Sequence, residues 1–259
     1  MHGTHNTFVV LDERPRRFDS YAELARRLCA PGGEGLDADG LLVISPAAAP
    51  ALATMLVVNA DGSEAEMCGN GVRCVARYLA EDGAGDRFTL ATAAGPIGVE
   101  IVGRMPKFSV RVDMGAPRFL DAGPVEASVA GREWAVHRVD TGNPHAVVFV
   151  DDPGAIDLET LGRAFQTEPR FPEGVNLHVA ASVDAHTLCV RHFERGVGLT
   201  QACGTGAVAS AAAAVRAGLV EAPVDVRVPG GSLRIEWTPQ GSALMTGPAE
   251  NVFERELTL

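Results

Sequence analysis

The chain has 259 residues, with 22 Lys and Arg against 33 Asp and Glu, a formal net charge of −11 at pH 7. At 46% hydrophobic and 21% charged residues it has the composition of a globular protein with a buried core, in one large domain or two small ones. The acidic balance argues against nucleic acid as a partner, because phosphates need a basic face, and five cysteines in a chain this long do not make a disulfide scaffold.

Taken in chain order, Met1 to Phe8 carries no basic region and does not read as a signal peptide. Ser20 and Glu23 form a capping-box signature for a helix that includes Leu24 and Leu28. Leu41 to Val58 is free of charge, yet Pro46 and Pro50 interrupt it, so it predicts two buried strands joined by a proline-containing connection rather than a membrane span. Short β-branched runs bounded by Gly or Pro predict strands at Thr54–Asn59, Arg87–Thr92, Ile97–Val102, Lys107–Asp113, Arg132–Asp140, Thr187–Phe193, Val224–Val228 and Leu233–Trp237. Helices are expected over Gly71–Leu79 and Ala207–Val215, and the second is small and apolar all round, as in a helix buried inside other structure. A last strand near 248–259 is expected to return to the N-terminal half. With free cysteines and no signal, the expected compartment is the cytoplasm.

The chain also repeats itself. Thr4-His5-Asn6-Thr7-Phe8 resembles Thr141-Gly142-Asn143-Pro144-His145, and Cys68-Gly69-Asn70-Gly71 resembles Cys203-Gly204-Thr205-Gly206. A polar residue, Asn59 or Glu194, stands nine positions before each cysteine (68 − 59 and 203 − 194). Three matches in order at nearly constant offset predict two related halves, 1–115 with 248–259 and 116–247. The expected architecture is α+β: two pseudo-symmetric halves, each a strand-rich, barrel-like sheet around a central helix, with the active site in the cleft between them.

Each cysteine sits where a helix should begin. Unpaired N–H groups and a partial positive charge there favour a thiolate, and the glycines let a ligand approach the backbone. Two such sites suit a thiolate base and a thiol acid working on opposite faces of one carbon, which is apparatus for inverting a stereocentre. Cys29, Cys74 and Cys189 fall in helix or strand interiors and read as core residues. The histidines show no ligand spacing with the cysteines, so no metal site is expected. Lys107 is the sole lysine and follows Pro106 in a hairpin, a poor position for a Schiff base.

Asn59-Ala60-Asp61-Gly62-Ser63-Glu64-Ala65-Glu66-Met67-Cys68-Gly69-Asn70-Gly71-Val72-Arg73 resembles the first cysteine motif of the diaminopimelate epimerase family. Glu194-Arg195-Gly196 with Ala202-Cys203-Gly204-Thr205-Gly206 resembles the second, and Gly142–Val147 and Phe171–Asn176 resemble the motifs between them. The resemblance implies a cofactor-independent isomerase interconverting LL- and meso-2,6-diaminopimelate, a step toward lysine and peptidoglycan precursors, with a homodimer as the possible assembly. By position it implies Cys68 and Cys203 as the acid–base pair, with His145 beside Cys68 and Glu194 beside Cys203. The amides of Gly69, Asn70, Gly204 and Thr205 would hold the reacting carboxylate. Asn6, Asn59, Asn143, Asn176 and Arg195 would recognise the distal end of the substrate.

Two positions depart from the family pattern, Thr7 where an Asp is usual and Leu199 where a Glu is common. They leave open a same-family enzyme for another amino acid, such as histidine. Asn70 argues against proline racemase and hydroxyproline epimerase, whose motif reads Cys-Gly-His. A reading from another class, a thiol redox or binding protein, would require no exchange at any α-carbon.

Overall fold

The charge-free stretch that begins at Leu41 folds as two antiparallel strands, Gly40–Pro46 and Ala53–Asn59, paired from Gly40↔Asn59 to Pro46↔Ala53. Leu41, Leu42, Val43 and Ile44 are all fully buried, so both faces of this strand are covered, which is why its sequence shows no polar alternation. The computed structural model describes residues 1–15, 18–30, 36–104 and 106–256. The chain forms two units, Met1–Asp113 with Thr246–Leu259, and Met114–Met245.

In the first unit the strand Asn6–Asp12 runs parallel to Gly40–Pro46, with Phe8 opposite Gly40, and helix α1 (Tyr21–Cys29) connects them. The Ser20 hydroxyl caps α1 by accepting from the Glu23 N–H, and Ala25 and Cys29 pack on Leu41, Val43 and Val58. Helix α2 (Gly69–Glu81) follows, burying Val72, Cys74, Val75, Ala76 and Leu79. Strands Arg87–Thr92, Gly95–Gly103 and Ser109–Asp113 complete the unit.

The second unit repeats this order. Strand Pro144–Phe149 runs parallel to Asn176–Asp184, with His145 opposite Asn176, and helix α3 (Leu158–Phe165) connects them. Asn176–Asp184 pairs antiparallel with Thr187–Glu194, after which helix α4 (Gly204–Arg216) and strands Val224–Val228 and Gly231–Trp237 follow. Nearly every residue of α4 from Gly204 to Ala214 is buried, and its alanines let the surrounding strands close in. Phe165, Phe171, Leu177, Phe193 and Trp134 form the core on the α3 side.

Three features differ from the sequence reading. Helix α3 was not anticipated, because its polar half masks a short apolar face of Leu158, Leu161 and Phe165. The last regular strand is Ala243–Pro248, and beyond it Glu250 bridges to His2 while 251–256 follow no ladder. Positions 257–259 of the expected strand lie outside the described residues. The unit junctions fall two residues earlier than expected, at 113/114 and 245/246. Among the described residues no helix is long and apolar enough to cross a membrane.

Phe165 is fully buried in the second core. Its replacement by Ala is expected to lower stability by about 3–5 kcal/mol, measured as a shift of the urea midpoint with an unchanged slope.

Candidate active site

A helix start leaves N–H groups without intrahelical partners, and an Ser, Thr, Asp or Asn side chain usually caps them. Here sulfur does so in both units. Cys68 is the N-cap of α2 and accepts from the Gly71 N–H at 3.4 Å; Cys203 is the N-cap of α4 and accepts from the Gly206 N–H at 3.4 Å. The backbone at both is extended, φ −140° at Cys68 and −122° at Cys203. The amides of Gly204 and Thr205 bond to no acceptor among the described residues and remain available to an anion.

The glycine three residues after each cysteine is there for close approach. A Cβ on Gly71 would stand 2.8 Å from Leu42 Cδ2, and one on Gly206 would stand 2.3 Å from His178 Cε1. The first turn of each helix is therefore pressed directly onto a strand of its own unit.

The electrostatics of the two caps differ. Cys203 is buried, and burial pushes its thiol well above the usual value; the adjoining Glu194 carboxylate, which accepts a hydrogen bond from the thiol, pushes the same way. Contacts from the Thr205 hydroxyl, 3.4 Å away, and the Gly206 N–H oppose this without reversing it. At Cys203 desolvation thus outweighs the helix dipole, which by itself favours a thiolate. In the first unit the charge has the other sign. Arg73, fully buried one turn into α2, donates to Thr4 Oγ1 and Asn70 Oδ1 at 2.8 Å each, to the Pro248 carbonyl at 2.9 Å and to the Gly69 carbonyl at 3.3 Å. Burial lowers it to about 10, so it stays cationic at pH 7. The residue at the matching place in α4 is Val208, also buried. The role of Arg73 was missed in the sequence, where it is one of two arginines four residues apart in α2.

The other expected residues divide by how far their side chains are committed. Asn6 Oδ1 is buried without a partner, just after a two-residue turn in which Thr4 and His5 have φ of 53° and 60°. That turn is an uncommon conformation for residues other than glycine, and the Thr4 hydroxyl bonded to Asn70 and Arg73 holds it. Asn59 Nδ2 donates to Ser63 Oγ at 2.9 Å within its own loop. Asn176 is committed at both ends, accepting from the Arg195 N–H at 3.0 Å and donating to the Pro144 carbonyl at 3.1 Å. Arg195 is exposed, with one guanidinium nitrogen 3.1 Å from the Glu173 carbonyl. Asn70 turns its side-chain oxygen inward to Thr4 and Arg73.

His145 is fully buried with both ring nitrogens occupied, Nε2 on Asn143 Oδ1 and Nδ1 on His178 Nε2, each at 2.7 Å. It has no ring nitrogen left in this conformation for direct proton transfer to a thiol. His178 Nδ1 in turn meets His192 Nδ1 at 2.8 Å. Burial holds His145 and His192 down at about 3 and His178 well below its usual value, so all three rings are neutral at pH 7.

The two departures from the family pattern do not alter this arrangement. Thr7 spends its N–H and hydroxyl on Asp39 Oδ2, at 2.7 and 3.0 Å, and Leu199 is exposed opposite Phe193. Cys29 and Cys74 are buried, Cys189 is half-buried, and all five cysteines are free thiols. Among the described residues no group of His, Cys, Asp or Glu could hold a metal ion. A cavity of about 520 Å³ in the first unit is lined by Phe8, Val10, Leu28, Tyr78 and Phe253 and includes none of the cysteine-motif residues. Lys107 is exposed between strands Gly95–Gly103 and Ser109–Asp113.

Two outcomes follow from this packing. Gly206→Ala should displace His178 and loosen the cap of α4, costing about 1–3 kcal/mol as an overpacked core does, read by thermal unfolding beside a Gly123→Ala control, for which no atom stands within 4 Å of the added Cβ. The unfolded chain protonates its histidines near 6.5 while the folded rings stay neutral down to about 3 for His145 and His192. Stability should therefore be fully present above about pH 6.5 and fall as the pH drops, by ~2 kcal/mol per buried ring at pH 5, measured by denaturant titration at several pH values.

Comparison with known proteins identifies the family. The diaminopimelate epimerase family model matches residues 1–120 and 138–252. The diaminopimelate epimerase of Rhizorhabdus wittichii is 41% identical over 100% of this chain and 94% of its own length, and that of Desulfitobacterium hafniense is 40% identical over 98% and 95%. Among solved structures, a probable proline racemase from Agrobacterium radiobacter superposes with a TM-score of 0.69 at 17% identity, over 95% of this chain and 88% of its own. A phenazine biosynthesis protein from Bacillus anthracis gives 0.70 at 17% identity, over 96% and 93%. At that identity the structural likeness shows a shared α+β fold, and the sequence matches show the rest: the chain belongs to the diaminopimelate epimerase family.

Proposed function

We propose that this chain is an isomerase that interconverts LL- and meso-2,6-diaminopimelate without a cofactor, with Cys68 and Cys203 serving opposite faces of the reacting α-carbon. The observation that carries the reading is a thiol in place of the usual oxygen at the N-cap of the central helix in both units. Family membership supplies the substrate.

The unequal surroundings of the thiols support a division of labour. Cys203, buried and hydrogen-bonded to Glu194, rests as a thiol and delivers a proton. Cys68 has the buried Arg73 cation electrostatically coupled to it, and a cation nearby favours the thiolate that removes one. In the reverse direction the roles exchange. An amino-acid α-proton is too weakly acidic for an unaided thiolate, so the developing carbanion needs preorganised donors. The first-turn amides of Gly69, Asn70, Gly204 and Thr205 fill that role by holding the adjoining carboxylate in a site closed to water.

At the distal end, the unpartnered Asn6 Oδ1 suits an ammonium group and the exposed Arg195 suits a carboxylate. Asn143 offers its Nδ2 as a further donor, while Asn59 and Asn176 hold the loops that carry the site. His145 enters as a neutral group that orients Asn143. The reading includes a cytoplasmic location and a homodimer.

Reduced protein incubated with LL-diaminopimelate in deuterated water should yield meso product carrying deuterium at the inverted carbon. Absence of exchange with both thiols reduced would sink the proposal. Cys68→Ala and Cys203→Ala should each lower kcat by about 10²–10⁴-fold without unfolding the protein, and epimerisation at the parent rate by either variant would exclude the two-thiol mechanism.

A further inference from the structure

The repeated fold provides its own control for the buried histidines. Phe8 opposes Gly40 in the first unit as His145 opposes Asn176 in the second. Two residues farther along, Leu42 pairs with Val57, and His178 pairs with His192. Positions filled by Phe8, Leu42 and Val57 in one unit are thus filled by His145, His178 and His192 in the other, and all six are buried. The fold packs these positions with apolar side chains when left to packing alone. Three imidazoles in one core cost desolvation and bring nothing to the hydrophobic effect, so their presence calls for a chemical reason.

The hydrogen-bond order within the chain provides one. A neutral imidazole carries one N–H and one lone pair. Asn143 Oδ1 faces His145 Nε2 and also receives the Thr141 hydroxyl at 3.3 Å, so His145 carries its proton on Nε2. Its Nδ1 is then an acceptor for His178 Nε2–H, and His178 Nδ1 is an acceptor for His192 Nδ1–H. The chain ends on His192 Nε2 as a bare lone pair, and that atom is buried without a partner. Each of the three protons has one acceptor. The opposite order would bury an unmet N–H at His192 and would need the Asn143 amide turned round.

We propose that His178 and His192 are positioning residues for the substrate site: they lock the tautomer of His145, which locks the Asn143 amide with its oxygen inward and its Nδ2 donors toward ligand. Among the described residues Asn143 Nδ2 has no partner, and Asn143 is half-buried, so both of its N–H groups are available. An amide held this way selects an acceptor, such as a carboxylate oxygen of the distal amino-acid end, and rejects an ammonium. His178 also lies against the bare backbone of Gly206, whose N–H donates to the capping Cys203 sulfur, so one ring braces both the binding amide, through His145, and the head of α4. The assignment of Asn143 to substrate rests on the proposed function; the tautomer lock does not.

The first test needs no substrate. Ring-nitrogen NMR of the uniformly 15N-labelled protein at pH 7 should show single neutral tautomers, Nε2–H at His145 and His178 and Nδ1–H at His192. A proton on His192 Nε2, or rapid averaging of tautomers at His145, overturns the proposal. The second test borrows the residues of the first unit. His178→Leu with His192→Val should fold, because the equivalent core does so with Leu and Val. It should raise KM for LL-diaminopimelate about tenfold or more, as loss of a hydrogen bond to a charged group does, with a smaller change in kcat, and His145 should then average its tautomers. His192→Gln, whose amide can still donate to His178 Nδ1, should stay within about twofold of the parent, since the chain of donors is kept. A folded double variant with unchanged KM overturns the positioning role. If the parent acts on another substrate, the NMR result still decides the tautomer lock while the proposed function fails separately.

Discussion

A hydrogen bond from a glycine N–H to a cysteine sulfur, repeated at the head of α2 and α4, is the constraint around which each unit is organised. Sulfur is a weaker acceptor than the oxygens that usually cap helices, so these helix ends are less completely satisfied than an ordinary N-cap. What they provide is a thiol at a fixed point, on extended backbone and ahead of a bare glycine turn pressed on a strand. The surrounding strands and the almost wholly buried α4 supply the rigidity that such a point needs.

The same backbone plan carries opposite charges in the two units. Five residues after Cys68 the helix places a buried arginine; five after Cys203 it places Val208. Nine residues before Cys68 stands the neutral Asn59, and nine before Cys203 stands Glu194, bonded to the thiol. Desolvation acts on any buried ionisable group, but a cation and a carboxylate then bias it in contrary directions. Two thiols of similar local geometry thereby sit in unequal electrostatic surroundings.

Much of the site was legible because its signals are local. A cysteine ahead of Gly-x-Gly marks a helix start whatever surrounds it, the capping box at Ser20 needs only its own four residues, and duplication shows as matching strings at constant offset. Burial was harder to read. Which thiol is the more shielded was not readable, because the depth of Cys203 and the approach of Glu194 are set by strands distant in sequence. His178 and His192 lie fourteen positions apart (192 − 178) and show no spacing pattern; only the register of their strands makes them neighbours. Arg73 likewise carries no local mark of burial; only Thr4, Asn70 and Pro248 close around it.

The sequence by itself determined the duplicated α+β plan, the two thiols at helix starts and the family to which the chain belongs, because capping, periodicity and motif are properties of adjacent residues. The tertiary structure alone decided which groups are charged, which side chains remain free for a ligand and which are consumed as braces. Those depend on desolvation and on partners brought together across strands, and neither quantity is written in local sequence.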